Sequence, residues 1–250
     1  MAKITSIMFD LDDTLLWDAK CVDESFQATC QIAAKSYDID PAKLEKSVKE
    51  QAVLLYRSFP TYDFTRNIGI NPFEGLWGNF NDSDPRFSEL RDIVPQYRKD
   101  AWINGLKSIG IDDHELGVKL ADQFPRERRS RSIVYFDTYS TLEALKGKYR
   151  LLLLTNGSPE LQKEKLSAEP KLASYFDHIL ISGSFGEGKP AKPLFMHALA
   201  LLESKPEETV MIGDKLTTDV LGALNSDVHS VWLNRTNHES NDQIVPMFEI

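Results

Sequence analysis

The sequence predicts an α/β protein, a doubly wound parallel sheet interrupted early by a block of helices. Three observations carry that reading. Short apolar runs alternate with helix-patterned stretches over the second half of the chain, the texture of βαβ units. A solitary apolar run, "SIMF", stands near the start and needs partner strands. Between the two lie about a hundred residues with helical periodicity and no convincing strand.

Taken in chain order, residues 3–9 read as the first strand. "DESFQATCQIAAKSY" (23–37) sets Phe26, Cys30, Ala33 and Tyr37 at helical spacing, with Asp23 as the expected N-cap. "DPAKLEKSVKEQAVLLY" (40–56) opens on Asp40 as cap and Pro41 at the first helical position, then places Leu44, Val48, Ala52 and Leu55 on one face. Residues 60–85, rich in Asn, Asp, Gly and Pro, read as loop. "SELRDIVPQYRKDAWINGLKSIG" (88–110) and "DDHELGVKLADQF" (112–124) return to helix, and Pro95 is expected to kink or split the first of them. The helical unit is thus 18–131, inserted directly after the first strand.

From 132 the period changes. "TLEALKGK" is a short helix and "YRLLLLTNG" an apolar strand ending in polar residues. "SPELQKEKL" begins a helix with Ser158 as cap and Pro159 behind it. "HILISG", "ETVMIGD" and "HSVWLN" read as strands separated by the helices "KPLFMHALALLES" and "TTDVLGALNS". Residues 1–17 and 132–250 therefore form one parallel sheet with helices on both faces. The tail "NHESNDQIVPMFEI" is polar, then mildly apolar.

The totals bound the function. A chain of 250 residues with 42% hydrophobic residues can bury a sizeable core. A net charge of −9 disfavours nucleic acid or an anionic membrane surface as main partner. The two cysteines, Cys21 and Cys30, read as buried reduced thiols and suit a reducing compartment. "MAKITSIMFD" has no cleavage-site pattern, and no run approaches the ~20 apolar residues of a membrane span. A cytoplasmic protein is expected.

In open α/β sheets ligands sit beyond the carboxyl ends of the strands. Asp10, Asp12 and Thr14 follow the first strand, and Thr155 and Asn156 follow "LLLL". Lys189 comes after "ILISG" and a short Gly-rich loop, while Asp214 and Asp219 follow "VMIG". Converging carboxylates without His or Cys call for a hard cation, and Mg²⁺ suits them. A lysine with hydroxyl and amide side chains suits a phosphate. One aspartate can then act as nucleophile and a second as proton carrier. The histidines, His114, His178, His197, His229 and His238, have no ligand spacing. The run "RERRSR" (Arg126, Arg128, Arg129, Arg131) reads as a solvated or hinge-lining basic stretch. Tyr56, Phe59, Tyr62, Phe64 and Trp77 read first as packing, although with Arg57 and Arg66 they could line a pocket.

These residues resemble the haloacid dehalogenase superfamily. Its first motif stands as Asp10-Leu11-Asp12-Asp13-Thr14, its second as Thr155-Asn156-Gly157, its third as Lys189-Pro190, and its fourth as Gly213-Asp214 through Asp219. Members often carry Asp after the Lys-Pro pair, where this chain has Ala191. The resemblance implies a Rossmann-like doubly wound core with an α-helical cap domain inserted after the first motif. It implies Asp10 as nucleophile and Mg²⁺ ligand, and Asp12 as general acid and base with its backbone carbonyl on the metal. Asp214 would be a further ligand and Asp219 a supporting carboxylate. Thr155, Asn156 and Lys189 would hold the phosphoryl group, with Lys189 also stabilising charge on Asp10. The implied cap closes over the site, excludes water and contacts the leaving group. The implied activity is Mg²⁺-dependent hydrolysis of a small phosphate monoester through an aspartyl-phosphate, with a small phosphorylated metabolite as partner. A dehalogenase would lack Asp12. A phosphomutase and a non-catalytic metal-binding scaffold remain alternatives, and the oligomeric state is open.

Overall fold

The computed structural model describes residues 3–239 and 243–250, so part of the polar tail, 240–242, lies outside the described residues. In chain order the elements begin with β1 (Ser6–Phe9), α1 (Asp18–Ala34), α2 (Pro41–Arg57), α3 (Tyr62–Ile68), α4 (Pro72–Gly75), α5 (Arg86–Ser108) and α6 (His114–Arg129). They continue with α7 (Thr138–Leu145), β2 (Arg150–Thr155), α8 (Pro159–Ala168), α9 (Pro170–Ala173), β3 (His178–Ile181), α10 (Ser182–Phe185) and α11 (Lys192–Leu201). The last are β4 (Thr209–Gly213), α12 (Leu221–Asn225), β5 (His229–Trp232) and β6 (Phe248–Glu249). The chain divides into two compact units. One comprises Met1–Trp17, Asn67–Gly69 and Val134–Ile250, the other Asp18–Arg66 and Ile70–Ile133.

The first unit is built on a six-stranded parallel sheet in the order β3-β2-β1-β4-β5-β6. The period of two sorts side chains onto its faces. Met8, Leu152, Leu154 and Met211 meet Leu194, Phe195, Ala198 and Leu199 of α11 on one side. Ile7, Phe9, Leu151 and Leu153 meet Leu142 of α7 and Leu166 of α8 on the other. Each such side chain taken fully out of water contributes about 1.5–3 kcal/mol. Both faces are covered, which is why the strands read as unbroken apolar runs rather than as alternation. The order reverses at β1, so the chain ends of β1 and β4 open side by side, the position where doubly wound sheets bind ligands.

The second unit is helical. Phe26 of α1 packs against Phe73, Trp102 and Phe124, with ring centroids 4.5–5.9 Å apart. Tyr56, at the end of α2, packs against Phe59, Tyr62 and Tyr97. The Tyr97 hydroxyl donates to the carbonyl of Pro72 at 2.7 Å. Cys21 and Cys30 are buried free thiols.

Several local expectations change. The first helix starts at Asp18, not after Asp23. Asp23 sits inside α1 and accepts from Lys49 at 2.9 Å, so its carboxylate serves an ion pair rather than a cap. Asp40 does cap α2, accepting from the amide of Ala42. The stretch 60–85 contains α3 and α4. The latter is nucleated by a capping box in which Asn71 accepts from the amides of Phe73 and Glu74 while Glu74 accepts from the amide of Asn71. α5 runs through Pro95 as one element, and α6 reaches Arg129 with Pro125 inside it. The tail contributes β6, parallel to β5.

Candidate active site

Register sets the site. Phe9 of β1 pairs with Leu153 of β2 and Ile212 of β4, so Asp10 leaves the sheet level with Leu154 and Gly213. Its amide still donates to the carbonyl of Ile212 at 2.9 Å. Asp10 is 93% buried and cannot turn to solvent. Lys189 arrives from the loop after α10, equally buried. Its ammonium donates to Asp10 Oδ1 at 2.5 Å and to the carbonyl of Leu154 at 2.8 Å, and lies 2.7 Å from Asp219 Oδ1. Lys189 is thus a buried cation rather than a surface one.

Asp219 is placed by a π-helical turn, Leu216–Val220, at the end of β4. Such turns often mark functional positions. The turn drops its carboxylate onto Gly213, where a Cβ would lie 2.3 Å from Asp219 Cγ. Only glycine permits that approach. Asp219 Oδ2 also accepts from the amide of Lys215 at 3.0 Å. Asp214, the next residue after Gly213, is anchored by its carbonyl, which accepts from the indole of Trp232 at 2.7 Å. Thr14 places its hydroxyl 3.4 Å from Asp10 Oδ2 and 3.5 Å from Asp214 Oδ1.

Asp10, Asp214 and Asp219 bring carboxylate oxygens within 4.8 Å of one another. Burial, and the neighbouring carboxylates, push the Asp214 carboxyl up to about 8. Burial also raises Asp10, against the pull of Lys189. For Lys189 burial opposes the charge, but Asp10 and Asp219 outweigh it and hold the ammonium well above its usual range. Lys189 touches two of these three crowded carboxylates, and the cluster keeps negative charge to be met. A donor set made only of carboxylate oxygens fits a hard divalent cation such as Mg²⁺.

Asn156 is fixed from both ends by the third-motif loop: its Nδ2 donates to the carbonyl of Lys189 at 3.1 Å, and its Oδ1 accepts from the amide of Lys189 at 2.8 Å. Asn67 donates to the carbonyl of Gly186 and accepts from the amide of Gly188, and Ile68 accepts from the amide of Gly157 and the hydroxyl of Ser182. The tripeptide Asn67–Gly69 therefore belongs to the sheet unit, on the flank of Asn156. Thr155 is buried and accepts from Gln162 Nε2 at 2.6 Å. Asp12 stands two residues beyond Asp10, and its Oδ2 accepts from Gln162 Nε2 and from Lys165 Nζ, each at 2.9 Å. Asp13 adopts φ 62°, turning the chain out of the strand.

All the residues singled out from the sequence, Asp10, Asp12, Thr155, Asn156, Lys189, Asp214 and Asp219, thus converge at one edge of the sheet. Gln162 and Lys165 were missed. Both lie in "PELQKEKL", which reads as an exposed polar helix. The available signal was their spacing: three residues apart on α8, they share the face that also carries Leu161 and Leu166 into the core.

The basic run needs a correction. Arg128 is not solvated: it is buried, donates to Asp18 Oδ1, and lies over the Trp77 ring at 4.8 Å. Arg131 pairs with Glu127 at 2.7 Å.

Comparison with known proteins follows the same lines. The profile of the haloacid dehalogenase-like hydrolase family matches residues 4–227. The chain belongs to that family. It is 35% identical over 230 residues to a phosphoserine phosphatase of Thermus thermophilus, covering 92% of this chain and 88% of the relative. It is 37% identical over 246 residues to a glyceraldehyde 3-phosphate phosphatase of Pyrococcus furiosus, covering 93% and 81%. Among solved structures, the HAD-hydrolase YfnB of Bacillus subtilis, crystallised with magnesium, shares the fold with a TM-score of 0.68 at 19% identity, over 100% of this chain and 95% of that one. Among the described residues no helix is long and apolar enough to cross a membrane.

Proposed function

We propose that this hydrolase cleaves a small phosphate monoester, with Asp10 taking the phosphoryl group as an aspartyl-phosphate. The observation that carries the reading is the ammonium of Lys189, 2.5 Å from Asp10 and 2.7 Å from Asp219 beside the Asp214 carboxylate. Both relatives above are named as phosphatases of small phosphorylated metabolites, which supports the same reaction class.

In this reading an Asp10 oxygen attacks phosphorus and the ester P–O bond breaks. Asp12 gives a proton to the departing oxygen, then takes one from the water that cleaves the acyl-phosphate. Lys189 favours the ionised form of Asp10 against burial and neutralises charge on the phosphoryl oxygens. Thr155 and the backbone of Asn156 hold those oxygens in place. Asp10, Asp214 and the backbone carbonyl of Asp12 would hold Mg²⁺, with Asp219 supporting the cluster. The ion would supply further positive charge to the transferring group. We assign 18–131 as the cap of the enzyme.

Phosphate release from a panel of small phosphorylated metabolites, with Mg²⁺ and with EDTA, tests the proposal. Release that needs Mg²⁺ and disappears in Asp10→Asn is expected. Full turnover in Asp10→Asn would remove Asp10 from the nucleophile role. Transfer of phosphate to a second substrate site, without release, would make the chain a mutase.

A further inference from the structure

Gln162 and Lys165 have no part in the motifs, yet both are buried against them: Gln162 is fully enclosed and Lys165 is 6% exposed. Their geometry constrains the proton chemistry of Asp12. A carboxylate only accepts, so the Gln162 group facing Asp12 must be its NH₂, which fixes the amide orientation. That NH₂ has two hydrogens. One goes to Asp12 Oδ2 at 2.9 Å and the other to Thr155 Oγ1 at 2.6 Å. Lys165 brings a second donor to the same Asp12 oxygen at 2.9 Å.

Two consequences follow from donor and acceptor counting. A proton on Asp12 Oδ2 would point at two groups that can only donate, so the proton that Asp12 transfers must reside on Oδ1. Thr155, having accepted from Gln162, turns its own hydroxyl hydrogen the other way, 3.4 Å from the carbonyl of Asn156, a long contact that a phosphate oxygen would replace. The amide carbonyl Oε1 of Gln162 is buried without a hydrogen-bond partner.

We propose that Gln162 and Lys165 are positioning residues. Together they clamp Asp12 by Oδ2 so that Oδ1 faces the leaving group, and Gln162 additionally couples that clamp to the phosphate-binding hydroxyl of Thr155. The proposal rests on the phosphatase reading above. The step it governs is balanced by the substrate itself: the Oδ1–H bond breaks, the leaving oxygen gains that hydrogen, and water later restores the proton.

The test is a leaving-group comparison in Lys165→Met, Lys165→Arg and Gln162→Leu. An aryl phosphate leaves without protonation, whereas an alkyl phosphate needs it. Misplacing the acid is expected to lower kcat/KM for the alkyl ester by roughly 10²-fold, while kcat/KM for p-nitrophenyl phosphate, which stops at phosphoryl transfer and so leaves out the later base step, stays within about threefold because the acid is not required there. Lys165→Arg, which keeps a cationic donor, should recover part of the alkyl loss. Gln162→Leu should add a weaker competitive inhibition by inorganic phosphate, which Lys165→Met should not share. Melting curves in parallel identify any variant that merely unfolds, and such a variant is replaced by Gln162→Met or Lys165→Gln at the same position. Equal losses of kcat/KM on both esters, or no loss on either in folded variants, would overturn the proposal. The wild type and Asp10→Asn run alongside separate the two failures: if Asp10→Asn is inert and the α8 variants behave like wild type, only the positioning role falls. If Asp10→Asn turns over, the phosphatase reading itself falls.

Discussion

The two units bury charge to opposite ends. In the sheet unit Asp10, Lys189 and Asp219 are nearly inaccessible and crowd together where β1 and β4 end. Burial dominates there, and it drives the carboxyls of Asp10 and Asp214 upward. In the helical unit the interior is aromatic, and the buried pair Asp18–Arg128 couples α1 to the last turn of α6. Carboxyls there answer to their partners. Arg86 holds Asp84 down to about 2, the amide of Leu116 lowers Asp113, and Arg131 lowers Glu127. A cluster in which Asp10 and Asp214 resist ionisation is not arranged for stability, whereas an interior of rings around the pair of Asp18 and Arg128 is.

The widest separation of the two is expected at their buried cations. Lys189→Met removes the one ammonium in contact with both Asp10 and Asp219, and kcat/KM should fall about 10³-fold, the scale of losing a preorganised charge at the reacting group. The measurement is steady-state hydrolysis of whichever ester the panel identifies. Activity within tenfold of wild type would mean that the cluster does not act on the transferring group. Arg128→Met in the helical unit should instead lower stability by about 3 kcal/mol, since it removes the buried cation that the largely enclosed Asp18 carboxylate pairs with. Adding Asp18→Leu should restore much of that loss, because removing both charges eliminates the desolvation cost as well as the attraction. Urea unfolding of the two single variants and the double variant measures the coupling. Additive losses would show that the pair is not an energetic unit.

That contrast also decides what could be read from the sequence. Asp10, Thr155, Lys189 and Asp214 stood out because each interrupts or follows an apolar run, and a parallel sheet buried on both faces has to gather such residues at one edge. The six-strand sheet was legible up to β5 for the same reason. β6, with two exposed residues, carries no apolar signal of its own. The helical unit was legible as helices but not in its joints. Asp23 looks like a cap because it precedes an apolar face, yet the helix begins a turn earlier and gives that carboxylate to Lys49. The Asn71–Glu74 capping box is four residues long and lies in a Pro- and Asn-rich stretch, where the composition of a loop outweighs it. Gln162, Lys165 and Arg128 escaped because long polar side chains on a helix are ordinarily solvated. Only tertiary partners reveal that these are not.

The smallest expected effect sharpens the comparison by its sign. Glu127 accepts from Arg131 Nη1 and from Gln123 Nε2, both at 2.7 Å, and the Arg131 bond is the larger cause of its lowered pKa. A carboxyl whose folded pKa lies below its unfolded value adds stability above the unfolded value, near 4.5, and loses it as pH falls through the folded one. The pair is partly exposed, so its worth should stay below about 1 kcal/mol and shrink in high salt. Melting temperatures of the wild type and Glu127→Gln should therefore differ slightly at pH 7 and converge as the pH drops below 4. A variant more stable than the wild type at pH 7 would mean that the fold disfavours the ionised Glu127, as burial does at the site carboxyls, rather than favouring it as Arg131 does.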